Sequence, residues 1–141
     1  MIARGYQSVG RVDPNVAATV ANAWAAGMSR VDVYHFPCFT CGNPAGQANA
    51  LFTYLKDNDV KYGKVWLDVE GPGTYWGSST SDNAAFIADW FAAMKEKGVD
   101  IGVQFRPRQV TCRGRGHHRL PAIQAPRKSW GSCPTSSRAA M

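Results

Sequence analysis

Strand-like apolar runs and helix-start signals alternate along most of this chain, and that alternation leaves few folds open. Asp13-Pro14 and Asn43-Pro44 each place a capping side chain before a proline at the first helical position. After the first, Val16, Val20 and Trp24 follow at i, i+4 and i+8, and Gly27 is a natural stop. After the second, Ala48, Leu51, Phe52 and Leu55 share a helix face. A third stripe carries Phe86, Ile87, Trp90, Phe91 and Met94. Lys95 and Lys97 stand in its last turn, favourably for the helix dipole, and Gly98 ends it. The expectation is helices near 14–26, 45–57 and 83–97, with parallel strands near 2–7, 30–36, 63–69 and 100–103. Each connection is long enough for a right-handed helical crossover. The class is α/β. No motif recurs from unit to unit, so the period is structural and not a sequence repeat.

The most informative strand is Lys64-Val65-Trp66-Leu67-Asp68-Val69-Glu70, stopped at once by Gly71-Pro72. Strand side chains alternate, so Trp66, Asp68 and Glu70 share one face and Val65, Leu67 and Val69 the other. The apolar face can pack on helices while the other lines a cavity. Both acids then lie at the carboxyl end of a strand, where α/β folds place their ligands.

The 141 residues suffice for one modest domain, and 45% apolar content supports a core. No apolar run approaches the ~20 residues of a membrane span. Met1 leads straight into a strand-like segment, with no secretory leader in this sequence. The net charge of +6 is unevenly placed. Residues 1–103 hold eight Lys/Arg and ten Asp/Glu, a balance of −2, whereas residues 104–141 hold eight Lys/Arg and no acid, a balance of +8. A basic nucleic-acid face on the folded part is therefore not expected. The Arg/Pro/Gly-rich stretch from 104 has neither helical stripe nor alternation, and it reads as a disordered basic tail or as foreign to the domain.

Paired carboxylates suit acid/base work on a polar substrate, one protonated and one ionised. The plainer alternative is two acids capping a strand-to-loop turn. Asp-x-Glu also suits a hard divalent cation, but no third acid lies nearby, so no metal site is expected. Trp66 or Trp76 could stack on a sugar face. Tyr6, Tyr34, Arg4 and Gln7 stand near strand ends as plausible cavity lining. His35 shares the parity of Val31 and Val33, which favours a core histidine over a substrate contact. Cys38-Phe39-Thr40-Cys41 precedes the helix signal instead of opening it, so a local disulfide or two unreactive thiols fit better than a redox site. No phosphate-binding glycine motif occurs, and no cofactor is implied.

Ala3-Arg4-Gly5-Tyr6-Gln7-Ser8, Tyr34-His35-Phe36, Cys38-x-x-Cys41-Gly42-Asn43-Pro44 and Trp66-Leu67-Asp68-Val69-Glu70, in that order, resemble the family 25 glycoside hydrolases. These are lysozymes that cleave peptidoglycan after N-acetylmuramic acid. The likeness is closest to eukaryotic secreted or phagocytic members and covers residues 2–103. It implies an irregular β/α barrel with its site at the carboxyl ends of the strands. Glu70 then resembles the general acid. Asp68 resembles the partner carboxylate that orients the substrate's acetamido group, in an acetamido-assisted retaining reaction. Tyr34, with Trp66, Tyr6 and Trp76, would line the sugar cleft. The implied partner is bacterial peptidoglycan, met by a monomer in a secreted or lysosomal/phagosomal setting, with no nucleic acid or membrane involved.

The family pattern begins one strand earlier and continues beyond residue 103. The expectation is thus a partial lysozyme-like barrel over 1–103 followed by the basic tail, with little or no lytic activity. The alternative is a non-catalytic carbohydrate or cell-wall binding remnant with a cationic tail.

Overall fold

The computed structural model describes residues 1–71 and 73–106. Its elements run β1 (Ile2–Gln7), β2 (Arg11–Val12), α1 (Val16–Ala25), β3 (Asp32–His35), α2 (Pro44–Asp57), β4 (Val65–Glu70), α3 (Thr80–Glu96) and β5 (Ile101–Arg106). The strands form one sheet in the order β2-β1-β3-β4-β5. β1, β3, β4 and β5 are parallel, and β2 alone is antiparallel, pairing Tyr6 with Val12. The α/β class and the parallel strand–helix alternation are as expected. Strand β5 runs on to Arg106, three residues past the anticipated domain boundary. The predicted basic tail lies, from residue 107 onward, outside the described residues.

Cap chemistry explains the helix starts. Asn43 takes a left-handed conformation (φ 49°) and its side chain accepts from the Gly46 N–H, with Pro44 at the first helical position. Helix α3 begins three residues before its predicted start because Ser79 caps it, accepting from the Asp82 N–H. Helix α1 begins two residues later than expected. Asp13 does not cap it; its carboxylate takes the Asn15 N–H and the Arg4 guanidinium.

All three helices cover one face of the sheet. Val16 and Val20 of α1, Leu51 and Leu55 of α2 and Trp90 and Met94 of α3 pack with Val33, Val65 and Leu67 in one core. Burial of such side chains contributes about 1.5–3 kcal/mol each. Trp24 departs from the expected stripe: it is 39% exposed, and Ala23 is buried instead. Eight residues of helix overshoot two turns by about 80°, so an i+8 residue drifts off the core face. Trp24 is held at the rim, its indole N–H donating to the Lys61 carbonyl at 2.7 Å. At β5 the cover runs out. Val103 and Phe105 share the helix-side parity of Leu67 and Val69, yet are 46% and 60% exposed.

Close packing gives Gly5 a specific duty. A Cβ there would stand inside contact distance of Val33 Cγ1 and 2.8 Å from Leu51 Cδ1. Overpacking a core of this kind costs about 1–3 kcal/mol. Gly5→Ala should therefore lower the urea midpoint at unchanged slope. An unchanged midpoint would show that β1 and α2 are not this tightly packed.

Candidate active site

The face of the sheet opposite the helices carries the chemistry. Register fixes which residues share it. Arg4 pairs with Tyr34, Tyr34 with Trp66, Asp68 with Gln104, and Glu70 with Arg106. Residues paired in a parallel ladder point the same way, so Tyr34, Trp66, Asp68, Glu70 and Gln104 all lie on this face. Asp68 is 6% exposed and Glu70 half-buried at the end of β4. A cavity of about 260 Å³ on this face is lined by Ile2, Tyr34, Asp68 and Gln104. The structure thus brings Asp68 and Tyr34 together and sets Glu70 two residues further along the strand. Ile2 and Gln104 went unnamed in the sequence reading. Gln104 fell at the start of the stretch expected to be tail, and it joins the site because β5 runs on past residue 103 in register with Asp68.

The other three anticipated substrate contacts do not line this cavity. Trp66 shares the face but lies at the amino end of β4. Its indole N–H donates to Asp32 Oδ2 at 3.0 Å, and Lys64 Nζ stands 5.4 Å from its ring centre. Gly102 makes room for the ring: a Cβ there would meet Trp66 Cζ3 at 2.6 Å. Asp32 also takes the Lys64 N–H and the Arg30 guanidinium. Burial opposes its ionisation, but these hydrogen bonds outweigh it and hold its pKa below the usual carboxylate value.

Tyr6 is 4% exposed on the helix side. A bulge explains the reversal of parity. Two steps along β1, from Arg4 to Tyr6, match one step along β3, from Tyr34 to His35. Tyr6 therefore stacks on His35, ring centres 4.3 Å apart, and burial raises the pKa of its phenol. Trp76, also 4% exposed, packs among Phe39 and Phe86. His35 is fully buried, edge-on to Trp90, as the plainer reading of its parity anticipated.

Arg4 stands beside Tyr34 with its Nε bonded to Asp13 Oδ2 at 2.8 Å. Among the described residues no group of three or more His, Cys, Asp or Glu is arranged to hold a metal ion. No described helix is long and apolar enough to cross a membrane.

The model of the family described as lysozyme-like protein 1 matches residues 1–105 of the chain. The chain belongs to the family 25 lysozyme-like proteins. Over 102 residues it is 53% identical to probable GH family 25 lysozyme 2 of Dictyostelium discoideum and 44% identical to probable GH family 25 lysozyme 4 of the same organism. Each match takes in 72% of this chain and 47% of the relative, so the chain spans about half the length of these relatives. Its fold is similar to part of the modular autolysin LytC from Streptococcus pneumoniae, with TM-score 0.61 and 19% identity over 74% of this chain and 26% of that one.

In this lysozyme-like chain the rim of the open face is built by loops at the carboxyl ends of β3 and β4. Phe36 meets Tyr75 edge-on at 4.8 Å, and Phe39 meets Trp76 at 5.7 Å. Phe39 lies inside the Cys38–Cys41 disulfide, whose Cα atoms are 5.3 Å apart. Gln47 clamps the same turn. Its amide accepts from the Cys38 N–H at 3.0 Å and donates to the Cys38 and Gly42 carbonyls at 2.8 and 2.6 Å. So short a covalent loop adds about 2 kcal/mol by chain entropy. Replacing both cysteines by serine should lower stability by about that amount, read by urea unfolding under non-reducing conditions. Equal stability with and without the bond would leave Gln47 as the sole clamp.

Proposed function

We propose that this chain carries the acid half of a lysozyme site, which hydrolyses the β-1,4 bond of bacterial peptidoglycan after N-acetylmuramic acid. The observation that supports it is the placement of Asp68 and Glu70 on one open face, at the carboxyl end of a central parallel strand, in a member of this family. Glu70 gives its proton to the glycosidic oxygen as the bond from that oxygen to the anomeric carbon breaks. Asp68 orients the acetamido group whose oxygen closes on that carbon. Water then attacks the carbon, the acetamido oxygen leaves it, and Glu70 takes the proton of that water back, with retention. Tyr34 lines the sugar cleft. No cofactor is called for.

The proposed setting is secreted or lysosomal/phagosomal, and the Cys38–Cys41 bond supports an oxidising compartment. We further propose that the 141-residue chain, acting alone as a monomer, is a weak enzyme. Among the described residues the sheet runs from β2 at one edge to β5 at the other without closing on itself, and Glu70 is only half-buried. Electrostatic catalysis is strongest where water is excluded. The uncovered Val103 and Phe105 also favour self-association.

The test is clearing of a bacterial wall suspension by the soluble monomeric chain beside one of its longer relatives. Slow clearing, at least tenfold below the relative, is expected. Comparable specific activity would contradict the proposed impairment. Binding alone leaves turbidity unchanged, which separates hydrolysis from the wall-binding alternative.

A further inference from the structure

The cavity beside Asp68 has a wall that the proposed hydrolysis does not use. Gln104 is the register partner of Asp68 on the neighbouring strand and lines the same cavity with Tyr34 and Ile2. The lining is chemically mixed: a carboxylate, a primary amide, a phenol and an aliphatic side chain. A carboxylate only accepts hydrogen bonds, whereas a glutamine amide both donates and accepts. Side by side on adjacent strands, they complement a ligand group that carries one donor and one acceptor next to an apolar end. A secondary amide with a methyl group has that composition. Its N–H suits Asp68, its carbonyl suits the Gln104 Nε2–H, and its methyl suits Ile2.

We infer that Gln104 is a specificity-determining residue that, with Asp68, receives the acetamido group of an N-acetylated sugar. This rests on the proposed glycan substrate and adds to it a residue and a selectivity. De-N-acetylation leaves the Gln104 donor without an acceptor; measured about two pH units above the ordinary amine value of ~7.7–8.0, where no ammonium pairs with Asp68, the unmet hydrogen bond lowers affinity by about tenfold.

The experiment uses the full chain and two probes, soluble peptidoglycan glycan fragments and the same fragments after chemical de-N-acetylation. Binding is followed by calorimetry at that pH. The wild-type chain should prefer the N-acetylated fragment by about tenfold. Gln104→Leu should bring that preference close to one while changing affinity for the de-N-acetylated fragment less than about twofold. Gln104→Glu, nearly the same size but without the donor, should lose the same preference and serves if the leucine variant fails to fold. A merely structural role would weaken both probes together and leave their ratio intact. Preference surviving both substitutions, or absent from the wild type, overturns the assignment of Gln104 alone. Failure of the wild type to bind either fragment overturns the glycan reading with it.

Discussion

Glu70→Gln is expected to lower kcat for wall hydrolysis by ~10²–10⁴-fold, the usual worth of general acid catalysis. The amide keeps the shape and much of the hydrogen bonding of the acid but has no proton to give the departing oxygen. Glu70 ends β4 on this face, half-buried, with Gly71 directly after it. Little of the fold depends on it, so stability should hardly change and KM should change little. Loss of kcat at constant KM marks an interaction made only in the transition state. Asp68→Asn should also slow turnover, with substrate binding largely kept. The measurement belongs in any form of the protein that clears walls. Near-normal turnover by the Glu70 variant would remove it from the role of acid.

The second large effect is a loss of stability in acid, set by His35. Burial between Tyr6 and Trp90 lowers its pKa from 6.5 to about 3. Gln47, the neighbour that opposes this shift, spends its amide on Cys38 and Gly42. The folded state thus keeps the ring neutral at pH values where the unfolded chain takes up a proton. Stability from this group is complete above pH 6.5 and falls as the pH drops toward 3. A gap of this size corresponds to about 5 kcal/mol below pH 3, and about 3 kcal/mol is already lost by pH 4. Asp13 and Asp32, whose pKa values hydrogen bonds hold below normal, add further loss below the ordinary carboxylate range. His35→Phe keeps a flat ring in the stack and removes the titration. Its unfolding free energy should be nearly flat between pH 6.5 and 4, while the wild type declines. Parallel curves for the two proteins would contradict a neutral buried His35.

The order of elements was legible because local chemistry decides it. Asn43-Pro44 and the Phe86–Met94 stripe mark helices whatever surrounds them. The alternation of β4 likewise placed Asp68 and Glu70 on one face. What escaped depends on pairing between strands. Nothing local announces the bulge between Arg4 and Tyr6, yet it turns Tyr6 from the cleft to the core. Trp66 keeps its predicted face, but Asp32 and the space over Gly102 hold it at the amino end of β4, away from the cavity beside Asp68. Trp76 sits in a polar loop that reads as exposed, and only contact with Phe39 and Phe86 buries it. Two-residue β2 is too short to leave a pattern. Gln104 became visible through register with Asp68, the one relation a single sequence does not print.

Hydrolysis by this face of the sheet is proposed to fall on one bond. Its most direct test is identification of the new reducing ends after prolonged digestion of purified peptidoglycan by the chain, by borohydride reduction and mass spectrometry. N-acetylmuramic acid at the reducing end, formed by the wild type and absent with Glu70→Gln, is the predicted result. No new reducing ends from the wild type, N-acetylglucosamine in that position, or the same products from the Glu70→Gln variant would contradict it.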